Sequence, residues 1–183
     1  MKSKFLYLFT FLMLIGTLPT MAQLNVVIEN GSIYIKDRTF GPPDTKKYSF
    51  KADSLEKILK LNSRDTTSLF ERALILEQLY NQLAKSTSYT RDPISNLNIS
   101  KDLVEQAVAL KMTDFKLKVL RAQVYKDLAY RYSVSESWKF TSKQIVERKV
   151  KYDTYKELAN KHYDELAALD SGNAYDYQRL KIK

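Results

Sequence analysis

No cysteine occurs anywhere in the sequence, which removes disulfide staples, thiolate metal sites, cysteine nucleophiles and lipoprotein acylation together. Histidine occurs once, at position 162. A HExxH zinc site therefore cannot be built, and a Ser–His pair would have to use that one residue. The EF-hand loop, the phosphate-binding P-loop and GxGxxG are also absent. Acids are present but scattered, at helical spacing from lysines, and no two stand out as the facing pair that glycoside hydrolysis needs. Glycine and proline are scarce, four of each in 183 residues, and so few breakers over such a length point to long helices. These absences lead us to expect no enzyme activity, no cofactor and no metal.

The first 22 residues differ from the rest. MKSKFLYLFTFLMLIGTLPTMA has Lys2 and Lys4, an apolar run from Phe5 to Ile15, then Gly16 and Pro19, with Thr20 and Ala22 at the positions a signal peptidase reads. The run is shorter than the roughly 20 residues a membrane span needs. The expectation is a cleaved secretory signal ending near Ala22/Gln23, a periplasmic or extracellular location and no membrane span after cleavage. Loss of Lys2 and Lys4 takes the formal net charge from +9 to +7. That surplus favours anionic partners by long-range attraction, such as an envelope component or an acidic protein. No nucleic-acid recognition motif accompanies it.

Residues 23–40 read as a β-hairpin. In LNVVIENGSIYIKD the pair Asn30-Gly31 supplies the positive φ of a two-residue type I′ turn. Alternation then puts Leu24, Val26, Ile28, Ile33 and Ile35 on one apolar side. Residues 41–52 read as a linker around Gly41-Pro42-Pro43, and 53–183 as a helical domain. Asp53 with Glu56 has capping spacing, and Asp65 can cap a helix from about Thr67 with an apolar arc wide enough to make it central. Pro93 marks a loop or the first turn of a small helix, and Ser100 starts the next. Thr113 or Asp114 caps a helix reaching about Ser133, and Thr141 to Gln144 forms a capping box. One long helix then runs to Leu169.

Three segments can be laid beside one another: LNSRDTTSLFERA at 61, LKMTDFKLKVLRA at 110 and LDSGNAYDYQRL at 169. Each has a leucine ending a helix, a short polar turn and a new amphipathic helix, and the first two share Arg-Ala. The pattern resembles the joints of tetratricopeptide repeats (TPR), with the last dozen residues covering the end of the stack. An irregular antiparallel bundle gives a similar pattern. The fold class expected is thus mainly α, a TPR-like repeat or a bundle, with a small N-terminal hairpin.

Winding residues 114–132 at about 100° per residue separates two apolar stripes, Leu117, Val124 and Leu128 from Phe115, Val119, Ala122 and Ala129. Between them lie Lys118, Arg121, Tyr125 and Tyr132. Two cations beside two tyrosines suit a partner-binding surface, while tyrosines at a layer boundary suit packing equally. His162, one turn from Glu165, reads as a surface or boundary residue. The run ERKVKYDTYK reads as a solvated helix face, because its charges alternate at i, i+4. The function expected is a non-enzymatic binding or adaptor protein. Resemblance to tetratricopeptide proteins implies a peptide or protein partner. The alternative is a ligand-binding or inhibitory protein that contacts an anionic envelope glycan or an enzyme.

Overall fold

The computed structural model describes residues 24–36, 44–83, 93–133 and 137–183. The expected signal peptide lies outside them. Among the described residues there are two strands and six α-helices, so the fold is mainly α with a small hairpin. None of these helices is long and apolar enough to cross a membrane.

Strands β1 (Val26–Glu29) and β2 (Ser32–Ile35) pair antiparallel, with Val26 opposite Ile35, Ile28 opposite Ile33 and Glu29 opposite Ser32. Asn30 and Gly31 take φ of 53° and 75°, as a type I′ turn requires. All five residues of the expected apolar side pack on the core, and Ile33 is wholly buried. Two polar side chains anchor the hairpin to the helices beneath. Glu71 accepts from the Leu24 N–H at 3.2 Å. Gln123 accepts from the Ile33 N–H at 3.0 Å and donates to the Ile33 carbonyl at 3.1 Å, satisfying an edge that would otherwise be bare.

Helix α1 spans Thr45–Leu61, which corrects the expected linker at 41–52 and the expected cap at Asp53. The cap is Asp44, whose carboxylate accepts from the N–H groups of Lys46 and Lys47 at 3.0 and 3.1 Å. Asp53 is exposed within the helix. The stripe that fixes the start is Tyr48, Ala52 and Leu55, all buried; the core begins at a tyrosine whose polar tip disguised it in the sequence.

Helix α2 (Thr66–Leu83) is the central one. Asp65 caps it through the N–H groups of Thr67 and Ser68, and Leu69, Phe70, Ala73, Leu74, Ile75, Leu76 and Leu79 are all buried. Helix α3 runs Pro93–Ala109 without a break, so Ser100 does not start it. Proline is pre-set for the first helical position, and the wholly buried Leu97 anchors the first turns. Ser100 is buried instead, its hydroxyl donating to the Ala73 carbonyl of α2 at 2.8 Å.

Asp114 caps α4 (Phe115–Tyr132) by accepting from the Lys116 N–H at 2.7 Å. Both of its apolar stripes have packing partners: Leu117, Val119, Ala122, Val124, Leu128 and Ala129 are all buried. Helix α5 (Ser142–Leu169) opens on the Thr141/Gln144 capping box with both of its hydrogen bonds made. The short α6 (Ala174–Leu180) closes the structure against the hairpin. Tyr177 is buried, donates to Asp170 at 2.9 Å and meets the Phe115 ring edge-on at 6.5 Å. A Cβ on Gly31 would stand 3.0 Å from Leu180 and 3.2 Å from Tyr177. The hairpin turn therefore needs glycine for its backbone and for the helix that covers it.

Consecutive helices from α1 to α5 pack on one another, yet they do not show a TPR-like repeat. In a stack of equal pairs α2 would lie against α4. Here those two barely meet, and β2 touches both. The last long helix has 28 residues against 17 or 18 for the four before it, so no unit recurs.

Candidate ligand-binding cleft

The end of α3, the turn after it, the start of α4 and the end of α5 surround a small cleft. Its apolar wall is Val108, Met112, Leu117, Leu166 and Leu169, and its polar side is Lys118, Arg121, His162 and Glu165. The turn that sets this geometry ends α3 with Lys111 at φ 62° and a Met112 N–H bond to the Ala107 carbonyl at 3.1 Å, which folds Met112 back over the helix end.

Glu105 of α3 organises the polar side. It receives Arg121 as a two-pronged pair, Nε and Nη2 each 2.7 Å away, and the Tyr125 hydroxyl at 2.9 Å. Burial works against the Arg121 charge, but the Glu105 bonds outweigh it and hold the guanidinium above its ordinary pKa. Burial, followed by the Glu105 bond, pushes the Tyr125 phenol well above its own.

His162 comes from the other side. It is only 5% exposed and lines the cleft, so of the surface-or-boundary reading the boundary position holds and the surface one does not. Its ring lies 5.6 Å from that of Tyr125, and its Nδ1 is 2.9 Å from Glu165 Oε2. Burial holds the imidazole below its ordinary pKa. Burial acts to raise Glu165, but the His162 hydrogen bond and nearby cations outweigh it, and the carboxyl lies below its usual range. An ionised carboxylate can only accept, so Nδ1 carries the proton and Nε2 is a bare lone pair. That Nε2 is buried and has no hydrogen-bond partner among the described residues.

The four stripe residues separate on folding. Lys118 is exposed, with no ion pair among the described residues, and it lines the cleft together with Arg121. Tyr125 and Tyr132 are 7% and 8% exposed, which removes them from any open surface. Both lie under α5, with ring centroids 6.0 and 5.7 Å from that of Tyr155. Tyr132 is also covered by the Arg148 and Lys151 side chains, 5.4 and 4.9 Å from its ring. Helix α5 thus covers the part of this face that carries the two tyrosines. Sequence reasoning missed Glu105 and His162. The signal for His162 was available, since Ala159, His162, Tyr163 and Leu166 form the buried stripe of α5 at i, i+3, i+4 and i+7.

A second polar cluster sits on the hairpin side of α4. Glu77 of α2 is wholly buried and accepts from Gln123 at 3.0 Å. Burial, then the nearby Asp127 carboxyl, raises its pKa well above the usual carboxylate range. The Tyr163 hydroxyl close by is buried with no hydrogen-bond partner among the described residues, and burial with the Asp127 and Glu77 charges pushes its pKa up. Among the described residues no group of three or more His, Cys, Asp or Glu side chains is placed to hold a metal ion. Protein-family models, curated proteins and solved structures were each compared with this chain, and none matches it.

Proposed function

We propose that this chain is a non-enzymatic binding or adaptor protein of the bacterial periplasm or exterior, which recognises a peptide or protein segment through its helical surface. The observation that carries this reading is the cleft, where an aliphatic wall stands beside the exposed ammonium of Lys118, which has no ion pair among the described residues. Small sites of that kind fix orientation with a few polar groups while apolar contact supplies the affinity. Each acid at the cleft is already engaged, Glu105 with Arg121 and Tyr125, and Glu165 with His162. They hold their neighbours in place, which suits binding better than proton transfer. The leader-like first 22 residues support the location.

The test is capture from a bacterial envelope extract by the purified chain, beside a Lys118→Glu/Leu169→Glu variant. Both residues are exposed, so the variant should fold. The expected result is a polypeptide retained by the wild type and lost by the variant. Recovery of carbohydrate alone would mean that an anionic envelope glycan is the ligand, and equal recovery by both would show that the cleft is not the contact.

A further inference from the structure

The two edges of the hairpin differ in what covers them. The Lys36 N–H donates to the Asn25 carbonyl at 2.8 Å, and along an antiparallel ladder bonded and non-bonded pairs alternate. With Val26 opposite Ile35 and Ile28 opposite Ile33, the N–H and carbonyl groups of these four residues point away from the opposing strand. On the β2 side Gln123 takes both groups of Ile33, so α4 stands where a further strand would add. On the β1 side Glu71 takes only the Leu24 N–H. The outward groups of Val26 and Ile28 have no hydrogen-bond partner among the described residues, and α2 and α4 pack chiefly against β2. Open edges are ordinarily blunted by lysine, proline or a bulge. Val26, Val27 and Ile28 provide none of these and keep a regular register.

Where this strand meets its turn there is a pocket of about 180 Å³, lined in part by Ile28, Asn30, Asp170, Asn173, Asp176 and Tyr177. Asp170 is engaged by Asn173 and Tyr177, whereas the Asp176 carboxylate makes no hydrogen bond or ion pair among the described residues. We infer that β1 receives an extended segment of a partner polypeptide as a third strand, with a lysine or arginine side chain of that segment in the pocket. Unpaired N–H and carbonyl groups at strand spacing call for another extended backbone. A helix has already spent its own backbone groups, and a glycan has no such repeat. In binding of this kind the main-chain bonds supply affinity and the side-chain pocket supplies specificity. The net charge of the chain is positive, but at physiological salt screening limits its reach to about 8 Å, so the carboxylates set the preference inside the pocket. This surface shares no residue with the cleft, and it goes beyond the reading above by adding a second contact for a polypeptide.

The experiment is a titration of the purified chain with acetyl-Thr-Val-Lys-Val-Thr-amide, followed by NMR and amide exchange. Binding should slow exchange at the Val26 and Ile28 amides. The same peptide with norleucine for lysine should bind about ten-fold more weakly, and the peptide N-methylated at every residue should not bind. Val26→Pro removes an outward donor and no ladder bond, so it should weaken binding. Asp176→Asn should erase the preference for lysine over norleucine while Val26 and Ile28 remain protected by the peptide, and Lys118→Gln in the cleft should change nothing. Unaltered exchange at Val26 and Ile28 under saturating peptide, equal binding of the N-methylated peptide, or equal binding of the lysine and norleucine peptides would each overturn the inference. So would loss of binding in Lys118→Gln, which would put the peptide in the cleft. Protection of the two amides without peptide, rising with chain concentration, would make a second copy the occupant and overturn it as well. If no peptide binds while the envelope capture still yields a cleft-dependent polypeptide, this inference falls and the reading of the cleft stands.

Discussion

Helix α4 carries a polar cluster on each flank, and the two are built to different ends. On the hairpin flank Gln123 and Glu77 are both buried, and their bonds go to the chain itself: the Ile33 N–H, the Ile33 carbonyl and each other. On the cleft flank Arg121 and Tyr125 meet Glu105; the side chains of Arg121 and Glu105 retain 26% and 33% exposure, and Arg121 lines the cleft. A polar network enclosed by protein fixes the fold, whereas one that stops at a cavity wall has capacity left for a ligand. The lesson is that α4 is amphipathic in function as well as in polarity: one side secures the hairpin and the other faces the candidate site.

The largest expected effect is on the enclosed side. Gln123→Leu removes both bonds to Ile33, leaving its buried N–H and carbonyl without them, and takes away one of several bonds that Glu77 makes. At about 1 to 3 kcal/mol for each buried group stranded, a loss of roughly 3 kcal/mol or more is expected by denaturant unfolding. Amide exchange in residues 26–35 should accelerate most. If the hairpin amides remain as protected as in the wild type, Gln123 does not secure the hairpin.

How far these clusters could be read from the sequence depends on how local their chemistry is. The Asn30-Gly31 turn, the Asp65 cap and the Thr141/Gln144 box are each complete within a few residues, and each stands where the pattern put it. The start of α1 was missed because Tyr48 and Ala52 carry the core stripe without an obvious apolar residue. Ser100 was misread because a serine looks the same whether it caps its own helix or bonds to another. The His162–Glu165 pair is one turn long and was visible, but the contacts that join the clusters between elements link residues 16 to 90 positions apart, as in Arg121 with Glu105 and Gln123 with Ile33. No spacing rule reaches that far. Lys118, Arg121, Tyr125 and Tyr132 do share a face of α4, but periodicity fixes a face without saying which later helix will cover it.

A smaller effect is expected on the cleft side. Glu105→Ala strands the Arg121 guanidinium and the buried Tyr125 hydroxyl, but the side chains of the Arg121–Glu105 pair are 26% and 33% exposed, so the guanidinium can turn to solvent. A loss of about 2 kcal/mol is expected, in the range for hydrogen bonds to charged groups, with hairpin protection unchanged. Should Glu105→Ala cost as much as Gln123→Leu, or loosen the hairpin equally, the two flanks are one cooperative unit and the contrast drawn between them fails.

The finest test uses pH, because the two clusters should pull stability in opposite directions. Glu77 has its pKa raised by burial and by Asp127, so above the ordinary carboxylate value the folded chain holds a proton that the unfolded chain has released. Its contribution is present at low pH and is lost as pH rises towards the raised folded value. His162 has its pKa lowered by burial, against the opposing Glu165 bond. The unfolded chain therefore takes up a proton that the folded chain resists, and stability falls as pH drops below the ordinary imidazole value of 6.5. Each slope is bounded by about 1.4 kcal/mol per pH unit. Unfolding measured from about pH 5 to about pH 9 should show Glu77→Gln relieving the loss on the alkaline side, since glutamine stays neutral and still accepts from Gln123. His162→Gln should relieve the loss on the acid side and leave the alkaline side as it was. A single variant that flattened both limbs would mean that the two clusters titrate together across α4, and the separation of an enclosed cluster from an open one would have to be given up.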